Sequence, residues 1–585
     1  MTLAAPQIPA AHIPAPPVPA TPTPASAHPM PVAPPQRPAP AAAATDPLPW
    51  WLPVVPLALV LTGMLVLAGF GVIEPAPPGT PTWWLLVLIG HVPFLAILGF
   101  LAAGLTERIG YLRHGRAAAV PGRLPPRAPK IAVQLPMFEE PAVAARAIAA
   151  AAALHWPTDR LVIQVLDDSV DPESRRIVDE AAARARAIGA DCRVLRRSIR
   201  TGYKAGALEA ARRQTDAELL VILDADFVPA RRFLLDAVAH FYDAHGHPLP
   251  DLALVQARWG HLNADASWLT RAQSLWVDDH HIVQKSFRST RWQFVNFTGT
   301  AGIWRADAIE SAGGWRAASL VEDCELSFRH LFRGWRTTAV KEIVVPSELP
   351  ATVTAYKAQQ KRWTSGWIQL QRLHLGTLLG SHRERAGRRA QLAYHMTIAW
   401  QWPLWAVWVC TLPFLISTGL WAGALGTGLG VAVYLVPTLA WLLLSTLLAS
   451  VEGMRLDDER PSMRGLGWRL ARVVPYIVLN AGMLPHQLMA FVEGLHGPLH
   501  TEFERTPKAG AGTATHAVRI HWPAVLAELG FVLLQLGWAV VLLASGLAWC
   551  ALGALLLAAA VAWLGWFYGD HAGRRAFLLH RRARI

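Results

Sequence analysis

The chain has 585 residues, and with 53% hydrophobic and only 16% charged residues its composition favours an integral membrane protein over a wholly soluble one. Lys and Arg outnumber Asp and Glu by 54 to 41, an excess typical either of nucleic-acid binding or of the cytoplasmic side of membrane proteins. The four cysteines lack the spacing of metal ligands, so they support neither a zinc site nor a disulfide framework.

The beginning of the chain predicts a tail and two membrane spans. Residues 1–46 are almost entirely Ala, Pro and small polar residues, so we expect a disordered tail, and they lack the pattern of a signal peptide. Residues 47–106 hold two apolar segments, 50–73 and 83–105, each long enough to cross a bilayer. Lys and Arg are missing between these segments and frequent after them, which predicts that the following domain is cytoplasmic.

Residues 107–390 contain no predicted span, and their first part alternates strands and helices. Predicted strands cover 131–135, 161–166, 193–195 and the apolar run from Leu219, with predicted helices over 142–154, 172–188 and 204–213. Strands that alternate with helices imply a parallel sheet with right-handed crossovers. The fold class predicted for this domain is therefore α/β.

Acidic residues follow two of these strands. Asp167 and Asp168 end the second strand, and Asp224 and Asp226 follow the fourth. Because parallel strands end at the same edge of a sheet, where open α/β sheets bind ligands, both pairs are expected at one site. Two carboxylates at i and i+2 can reach one divalent cation, which can neutralise a diphosphate leaving group. Each Asp could instead cap a helix, but two such clusters favour a site.

The last third of the chain, residues 391–585, predicts four more spans, at 400–421, 431–451, 529–544 and 548–568. With six spans in total, every basic cluster falls on the cytoplasmic side. This clustering at membrane boundaries also argues against nucleic acid as a partner. Residues 473–495 are apolar but contain polar residues and prolines, so we expect an interfacial or buried helix there.

An ordered series of motifs runs through the predicted cytoplasmic domain. The motifs are IQVLDDS (163–169), GYKAGAL (202–208), DADF (224–227), LVQARW (254–259), GTAGIWR (299–305), GGW (313–315), VEDCEL (321–326), SELP (347–350) and QQKRW (359–363). With this series the chain resembles the inverting family 2 glycosyltransferases of membranes, most closely the cellulose-synthase-like mannan and glucomannan synthases. The resemblance implies a GT-A (Rossmann-like) cytoplasmic domain inserted between transmembrane helices, about six spans in all with interfacial helices.

The resemblance also implies a donor site. Asp167 and Asp168 would bind the base and ribose of a nucleotide sugar, and Lys204 would bind its diphosphate as a point charge. Asp224 and Asp226 would bind Mg²⁺ or Mn²⁺, with Asp224 also contacting the donor. Alternatively, Lys204 could be a solvent-exposed lysine on a helix, without a role in donor binding.

The catalytic residues implied by the resemblance are Asp323, as general base, and its neighbour Glu322. Inversion at the anomeric carbon needs one base to activate the attacking hydroxyl and one stabilised leaving group. Carboxylates at the start of a helix can also serve as caps or partners of the helix dipole. The intact motif series favours the catalytic role.

QQKRW contains the QxxRW pattern of processive relatives. Gln359 and Arg362 would bind the donor, and Trp363 would present a flat face to the terminal sugar of the acceptor. An amphipathic interfacial helix would also use Arg and Trp.

A second, shorter motif lies between residues 500 and 510. There Phe503, Thr506 and Lys508 resemble the gating loop of cellulose synthases, although an ordinary polar loop would look similar. Thr298 stands where plant mannan synthases usually have Asn, which makes the resemblance a weaker guide to the sugar.

These features predict a processive synthase of a β-linked hexose polymer, in the bacterial inner membrane or its equivalent. GDP-mannose is the expected donor, and β-1,4-linked mannan or glucomannan the expected product. The growing polysaccharide is the acceptor, membrane lipid surrounds the spans, and export could involve an accessory subunit. The alternatives are a β-glucan synthase using UDP-glucose, a single-addition transferase with a lipid acceptor, and a non-enzymatic scaffold. The intact carboxylates argue against the scaffold.

Overall fold

The computed structural model describes residues 77–382, 384–418, 420, 427–457, 462–499 and 522–566. The predicted tail (1–46), the first predicted span (50–73) and the predicted gating residues Phe503, Thr506 and Lys508 lie outside these ranges. The described part includes the predicted catalytic domain apart from residue 383.

Seven strands of the described residues form one sheet. They are β1 (Ile131–Met137), β2 (Leu161–Asp167), β3 (Asp191–Leu195), β4 (Leu219–Ile222), β5 (Leu252–His261), β6 (Gly302–Arg305) and β7 (Arg336–Ser347). Their order across the sheet is β3-β2-β1-β4-β6-β5-β7.

Ten α-helices lie in the described chain up to residue 379: the first precedes the sheet, the last follows it, and the others lie between its strands. They are α1 (Pro81–Gly110), α2 (Pro141–Ala152), α3 (Pro172–Ala187), α4 (Tyr203–Arg212), α5 (Phe233–Val238), α6 (Trp268–Asp278), α7 (Lys285–Trp292), α8 (Ala306–Ser311), α9 (Glu322–Phe332) and α10 (Val353–Leu379). A π-helical segment, Asp279–Gln284, joins α6 to α7. The later helices are α11 (Ala386–Met396), α12 (Gln401–Ser417), α13 (Thr427–Leu456), α14 (Met463–Leu470), α15 (Val473–His496), α16 (Trp522–Ala544) and α17 (Ala548–Trp566).

The first four strands are parallel, as the alternating pattern predicts, whereas β6 is not. β1 pairs in parallel with both β2 and β4, and β2 pairs in parallel with β3. β6 lies antiparallel between β4 and β5, and the backbone just before it has positive φ angles at Gly299 and Ala301. The sheet is therefore mixed, and its β1–β2–β4 region has the open edge at which strand ends bind ligands.

Helices cover both faces of the sheet, and this burial explains the unbroken apolar run of β4. On one face, Val221 packs in a core with α2 and α3. On the other, Leu220 and Ile222 pack in a second core with α4, α8 and α9. A strand that is buried on both faces has a continuous run of apolar residues in its sequence, rather than an alternation of apolar and polar residues.

Five helices of the described residues are long and apolar enough to cross a membrane. They cover Pro81–Gly115, Ile398–Ser417, Val436–Leu456, Trp522–Ala544 and Ala548–Trp566, and each coincides with a predicted span. Large apolar side chains such as Leu88, Leu443 and Leu533 are exposed on them. Extended apolar surface of this kind suits contact with lipid.

The ambiguous segment 473–495 forms one helix, α15, which falls outside that set of five. It packs against α6, α10, α12, α16 and α17. Leu479, Met483, His486 and Gln487 are buried in these contacts. This packing fits the buried-helix alternative of the sequence prediction.

Candidate active site

A cavity of about 170 Å³ opens where the β1–β2–β4 edge of the sheet meets α10. Nine of the residues proposed from the sequence line it: Asp168, Lys204, Asp224, Asp226, Glu322, Asp323, Gln359, Arg362 and Trp363. Their side chains come from strand ends, from the start of α9 and from one face of α10. The cavity therefore combines carboxylates, cations and aromatic rings from distant parts of the chain.

Asp168 stands at the end of β2 beside arginines that the sequence motifs did not single out. Arg197 pairs with its carboxylate, with Nε 3.0 Å from Oδ1, and Arg200 Nε lies 3.9 Å from Oδ2. The guanidinium of Arg200 also stacks on Phe138, 3.5 Å from the ring centroid. Phe138 follows β1, the strand next to β2, so its place after a strand end was the signal that could have identified it.

Asp167, by contrast, does not line the cavity. Its side chain is fully buried, with Oδ2 accepting a hydrogen bond from Arg196 Nε at 2.8 Å and Oδ1 accepting one from the Ser169 backbone at 3.1 Å. These contacts fix the turn that presents Asp168. The sequence alone could not show which of these two adjacent acidic side chains lines the cavity.

Lys204 and Asp224 form an ion pair at the centre of the site. Lys204 Nζ lies 2.6 Å from Asp224 Oδ1 and donates to the Gly299 carbonyl at 2.8 Å. Burial alone would lower the pKa of Lys204, but the carboxylates of Asp224, Glu322 and Asp323 outweigh it and leave that pKa raised. Lys204 therefore stays a cation at neutral pH.

Gly299 leaves room for this arrangement. A Cβ at Gly299 would lie 3.2 Å from Asp323 Oδ2 and 3.5 Å from Lys204 Nζ, and the residue has a φ of +81°. Both the close approach and the left-handed backbone favour glycine.

Glu322 and Asp323 occupy the first turn of α9. Asp323 Oδ1 accepts a hydrogen bond from the Cys324 backbone at 2.8 Å. Burial raises the pKa of Asp323, and burial together with the charge of Asp323 raises the pKa of Glu322 to about 7. Carboxyl groups with raised pKa values in a cavity are suited to proton transfer near neutral pH.

Aromatic rings form the side of the cavity next to α10. Trp363 meets Trp276 of α6 edge to face, with ring centroids 5.6 Å apart. Trp259 also lines the cavity and packs against Phe227 at 5.4 Å. Trp276 lies outside the motif series, so only the fold brings it to Trp363.

Two carboxylates can contribute to a metal site here. Asp224 lines the cavity beside Asp226, whose Oδ2 lies 3.3 Å from the Glu348 backbone nitrogen. In the described part of the chain, no group of three or more His, Cys, Asp or Glu side chains is placed to hold a metal. One or two carboxylates completed by phosphate oxygens is the usual ligand set of Mg²⁺. The residues present thus fit a divalent cation that binds together with a diphosphate.

Two family models match the part of the chain that builds this site. Residues 132–293 match "Glycosyl transferase family 2", and residues 219–451 match "Glycosyl transferase family group 2". Together the matches run through the strand-end carboxylates, α9 and the cavity face of α10. The similarity to family 2 of the glycosyltransferases thus covers residues 132–451, which include all of the residues that line the cavity.

The chain is also similar to plant enzymes. It is 38% identical over 295 residues to glucomannan 4-beta-mannosyltransferase 2 of Arabidopsis thaliana, covering 49% of this chain and 54% of the relative. It is 39% identical over 241 residues to glucomannan 4-beta-mannosyltransferase 1 of Cyamopsis tetragonoloba, covering 41% and 45%. The chain thus spans about half the length of the curated relatives it matches.

Among solved structures, the chain matches a mannosyltransferase from Pyrobaculum calidifontis in complex with GDP-Man and Mn²⁺. The identity is 18% and the TM-score 0.42, over 67% of this chain and 98% of that one.

Proposed function

We propose that this protein is a membrane-embedded, processive, inverting glycosyltransferase that builds β-1,4-linked mannan or glucomannan from GDP-mannose. The observation that carries the proposal is the single cavity lined by strand-end carboxylates, Lys204 and the QxxRW face of α10. Similarity to glucomannan 4-beta-mannosyltransferases supports mannose as the sugar and β-1,4 as the linkage.

The donor would lie along the sheet edge. Asp168 can accept hydrogen bonds from the ribose or base, and Phe138 with the stacked Arg200 offers a flat surface at the same end of the cavity. Lys204 and Arg362 supply positive charge for the diphosphate, and Gln359 adds an amide beside them. Mg²⁺ or Mn²⁺ held by Asp224 and Asp226 would neutralise charge on the leaving diphosphate.

The reaction then needs a base and an oriented acceptor. As the acceptor hydroxyl oxygen bonds to C1 of the donor sugar, Asp323 takes up the hydroxyl proton. The bond from C1 to the diphosphate oxygen breaks with inversion, and GDP leaves with the electron pair, held by Lys204 and Arg362. Trp363 and Trp276 offer apolar ring faces against which the terminal sugar can stack.

Repeated addition would keep the growing polysaccharide beside this cavity while the donor is replaced. The catalytic domain would face the cytoplasm, with the spans in the bacterial inner membrane or its equivalent and an accessory subunit able to assist export. Phe503, Thr506 and Lys508 remain our predicted gating residues. The five apolar helices support the membrane part of the proposal.

The test is product analysis with purified protein in lipid nanodiscs. Labelled GDP-mannose and UDP-glucose are supplied separately with Mg²⁺ or Mn²⁺, with and without EDTA, and the product is subjected to linkage analysis. We expect a 4-linked mannose polymer from GDP-mannose, loss of product with EDTA, and a loss of at least about 10³-fold in Asp323→Asn. A glucose polymer from UDP-glucose alone, or a chloroform-soluble monosaccharide product, would contradict the proposal.

A further inference from the structure

Helix α10 presents two opposite faces. At about 100° per residue, Gln359, Arg362 and Trp363 fall on one side, where they line the cavity. Lys357 and Thr364 fall on the other side, which packs against α15 and α16. The polar residues of this second face have no part in the proposed chemistry, so their presence needs another reason.

The first contact of the second face is a buried ion pair. Lys357 Nζ lies 2.8 Å and 3.0 Å from the two carboxylate oxygens of Glu528, and the side chains are only 2% and 5% exposed. Glu528 belongs to α16, one of the helices apolar enough to span a membrane. His486 of α15 joins the pair, with Nε2 3.0 Å from the Lys357 carbonyl. Ionisable side chains in spans are costly and usually serve a function.

Uncharged polar contacts continue the same face towards the end of the helix. Thr364 Oγ1 donates to Gln487 Oε1 at 2.6 Å, and Gln487 Nε2 donates to Gln360 Oε1 at 3.3 Å. Ser365 Oγ donates to the Ala490 carbonyl at 2.7 Å. Hydrogen bonds on successive turns fix the rotation of the helix about its own axis. Apolar packing alone constrains this rotation less, because it is not directional.

Close packing limits α10 on both sides. A Cβ at Gly494 of α15 would lie 2.9 Å from the Ser365 carbonyl oxygen, and a Cβ at Gly366 would lie 2.6 Å from Val321. Val321 directly precedes Glu322, at the start of α9. Helix α10 is therefore held between α15 on one side and, on the other, the start of α9, which carries Glu322 and Asp323.

We propose that the Lys357–Glu528 ion pair is a positioning device that sets the rotation of α10, and with it the placement of Arg362 and Trp363 in the cavity. The inference rests on the proposed function and deepens it. A rotation of about 20° moves a side-chain end about 5 Å from the helix axis by about 2 Å. Misplacement by about 1 Å can cost about 10²-fold in rate. A small rotation of α10 therefore suffices to impair transfer.

Paired variants separate positioning from stability. Replacing a buried ion pair by apolar residues often leaves stability unchanged, whereas removing one partner is costly. Lys357→Met and Lys357→Met/Glu528→Met remove one or both charges, and Lys357→Glu/Glu528→Lys reverses the pair. Arg232→Met is the control, because the Arg232–Asp236 pair (3.4 Å) is 69% and 45% exposed, lies outside α10 and so contributes little.

The readouts are kcat, KM for the donor, polymer length, GDP affinity and thermal unfolding of each purified variant. We expect the double Met variant to unfold at the wild-type temperature, yet to lose about 10-fold to 10²-fold in kcat/KM and to make shorter polymer. The reversed pair should recover to within about 3-fold, and Arg232→Met should stay within about 2-fold of wild type.

Wild-type kcat, KM and polymer length in the double Met variant would overturn the inference. If the reversed pair folds but recovers nothing, the inference is also overturned. GDP affinity does not require a polymer to be made. Changed affinity for GDP, or for UDP where the protein uses UDP-glucose, therefore supports the positioning role in the double Met variant even where linkage analysis rejects the mannan synthase proposal.

Discussion

Glu322 and Asp323 differ from ordinary surface carboxylates because Glu322 is buried and Asp323 is half-buried beside it. Burial raises both pKa values, that of Glu322 to about 7 from an ordinary 4.5. A carboxyl with a raised pKa in the folded state binds its proton more tightly there than in the unfolded chain. Its contribution to stability is therefore present at low pH and is lost as the pH rises from about 4.5 to about 7.

This shift gives a prediction for Glu322→Gln. The variant should lose much of the fall in stability between pH 4.5 and pH 7, and should gain up to about 3 kcal/mol relative to wild type at pH 8. Thermal unfolding measured across this pH range checks it. Glu173→Gln is the control, since Glu173 is exposed and its pKa is lowered by Arg176 rather than raised. A wild-type pH profile in Glu322→Gln would contradict the prediction.

Individual residues of the site could be predicted where they follow a strand or belong to a motif. Asp168 and Asp224 were found because a strand-end rule and the motif series both select them. Arg197 was missed because its contact with Asp168 joins residues 29 positions apart, with no local pattern. Lys357 and Glu528 are 171 positions apart, so only the packed structure reveals their pair.

At the scale of elements, the packing of α10 against α9 depends on one small residue. Gly366 faces Val321, and a Cβ there would meet Val321 Cγ1 at 2.6 Å and Cγ2 at 3.1 Å. Val321 is itself buried, so it has little space in which to move.

Gly366→Ala should therefore push α10 away from the start of α9. We expect a loss of about 1–3 kcal/mol in stability and a loss of about 10-fold or more in kcat. Thermal unfolding and steady-state kinetics of the purified variant check both. Gly376→Ala is the matched control on the same helix, because a Cβ there has nothing within 4 Å and alanine favours helix by up to about 1 kcal/mol. Equal effects of the two changes would contradict the steric explanation.

Elements were predicted more accurately than their arrangement. The parallel strands β1, β2 and β4 follow the apolar runs closely, because both faces of each are largely buried. The antiparallel β6 was not predicted, because its pairing with β4 and β5 joins residues that are far apart in the chain. The buried position of α15 was left open because its polar residues suit an interfacial helix as well as a polar contact with α10.

At the scale of the whole molecule, buried charges join the membrane helices to the catalytic domain. Arg108, at the end of α1, pairs with Asp279 of the π-helical segment and donates to Ser445 of α13 at 2.9 Å. Glu107, its neighbour, lies 3.2 Å from Arg288 of α7. The apolar helices α1 and α13 are thus linked to the π-helical segment and to α7 through one network of buried charged and polar side chains.

Removal of one partner from this network should be costly. Asp279→Ala leaves Arg108 buried without its closest anion, and we expect a loss of about 3 kcal/mol in stability. Thermal unfolding in nanodiscs measures it. Asp236→Ala is the control, because the Arg232–Asp236 pair is exposed and should contribute less than about 1 kcal/mol. A similar change in both variants would contradict a special role for the network.

Helix α10 lines the cavity on one side and packs against α15 and α16 on the other. This double role limits which shorter fragments of the protein can keep the complete cavity. A fragment that stops after β7 keeps the strand-end carboxylates and α9, but it lacks Gln359, Arg362 and Trp363. A fragment extended through α10 keeps them but exposes Lys357 and Thr364 without α15 and α16. We expect neither truncation to yield a self-sufficient soluble transferase, because α10 completes the cavity only where α15 and α16 pack against it.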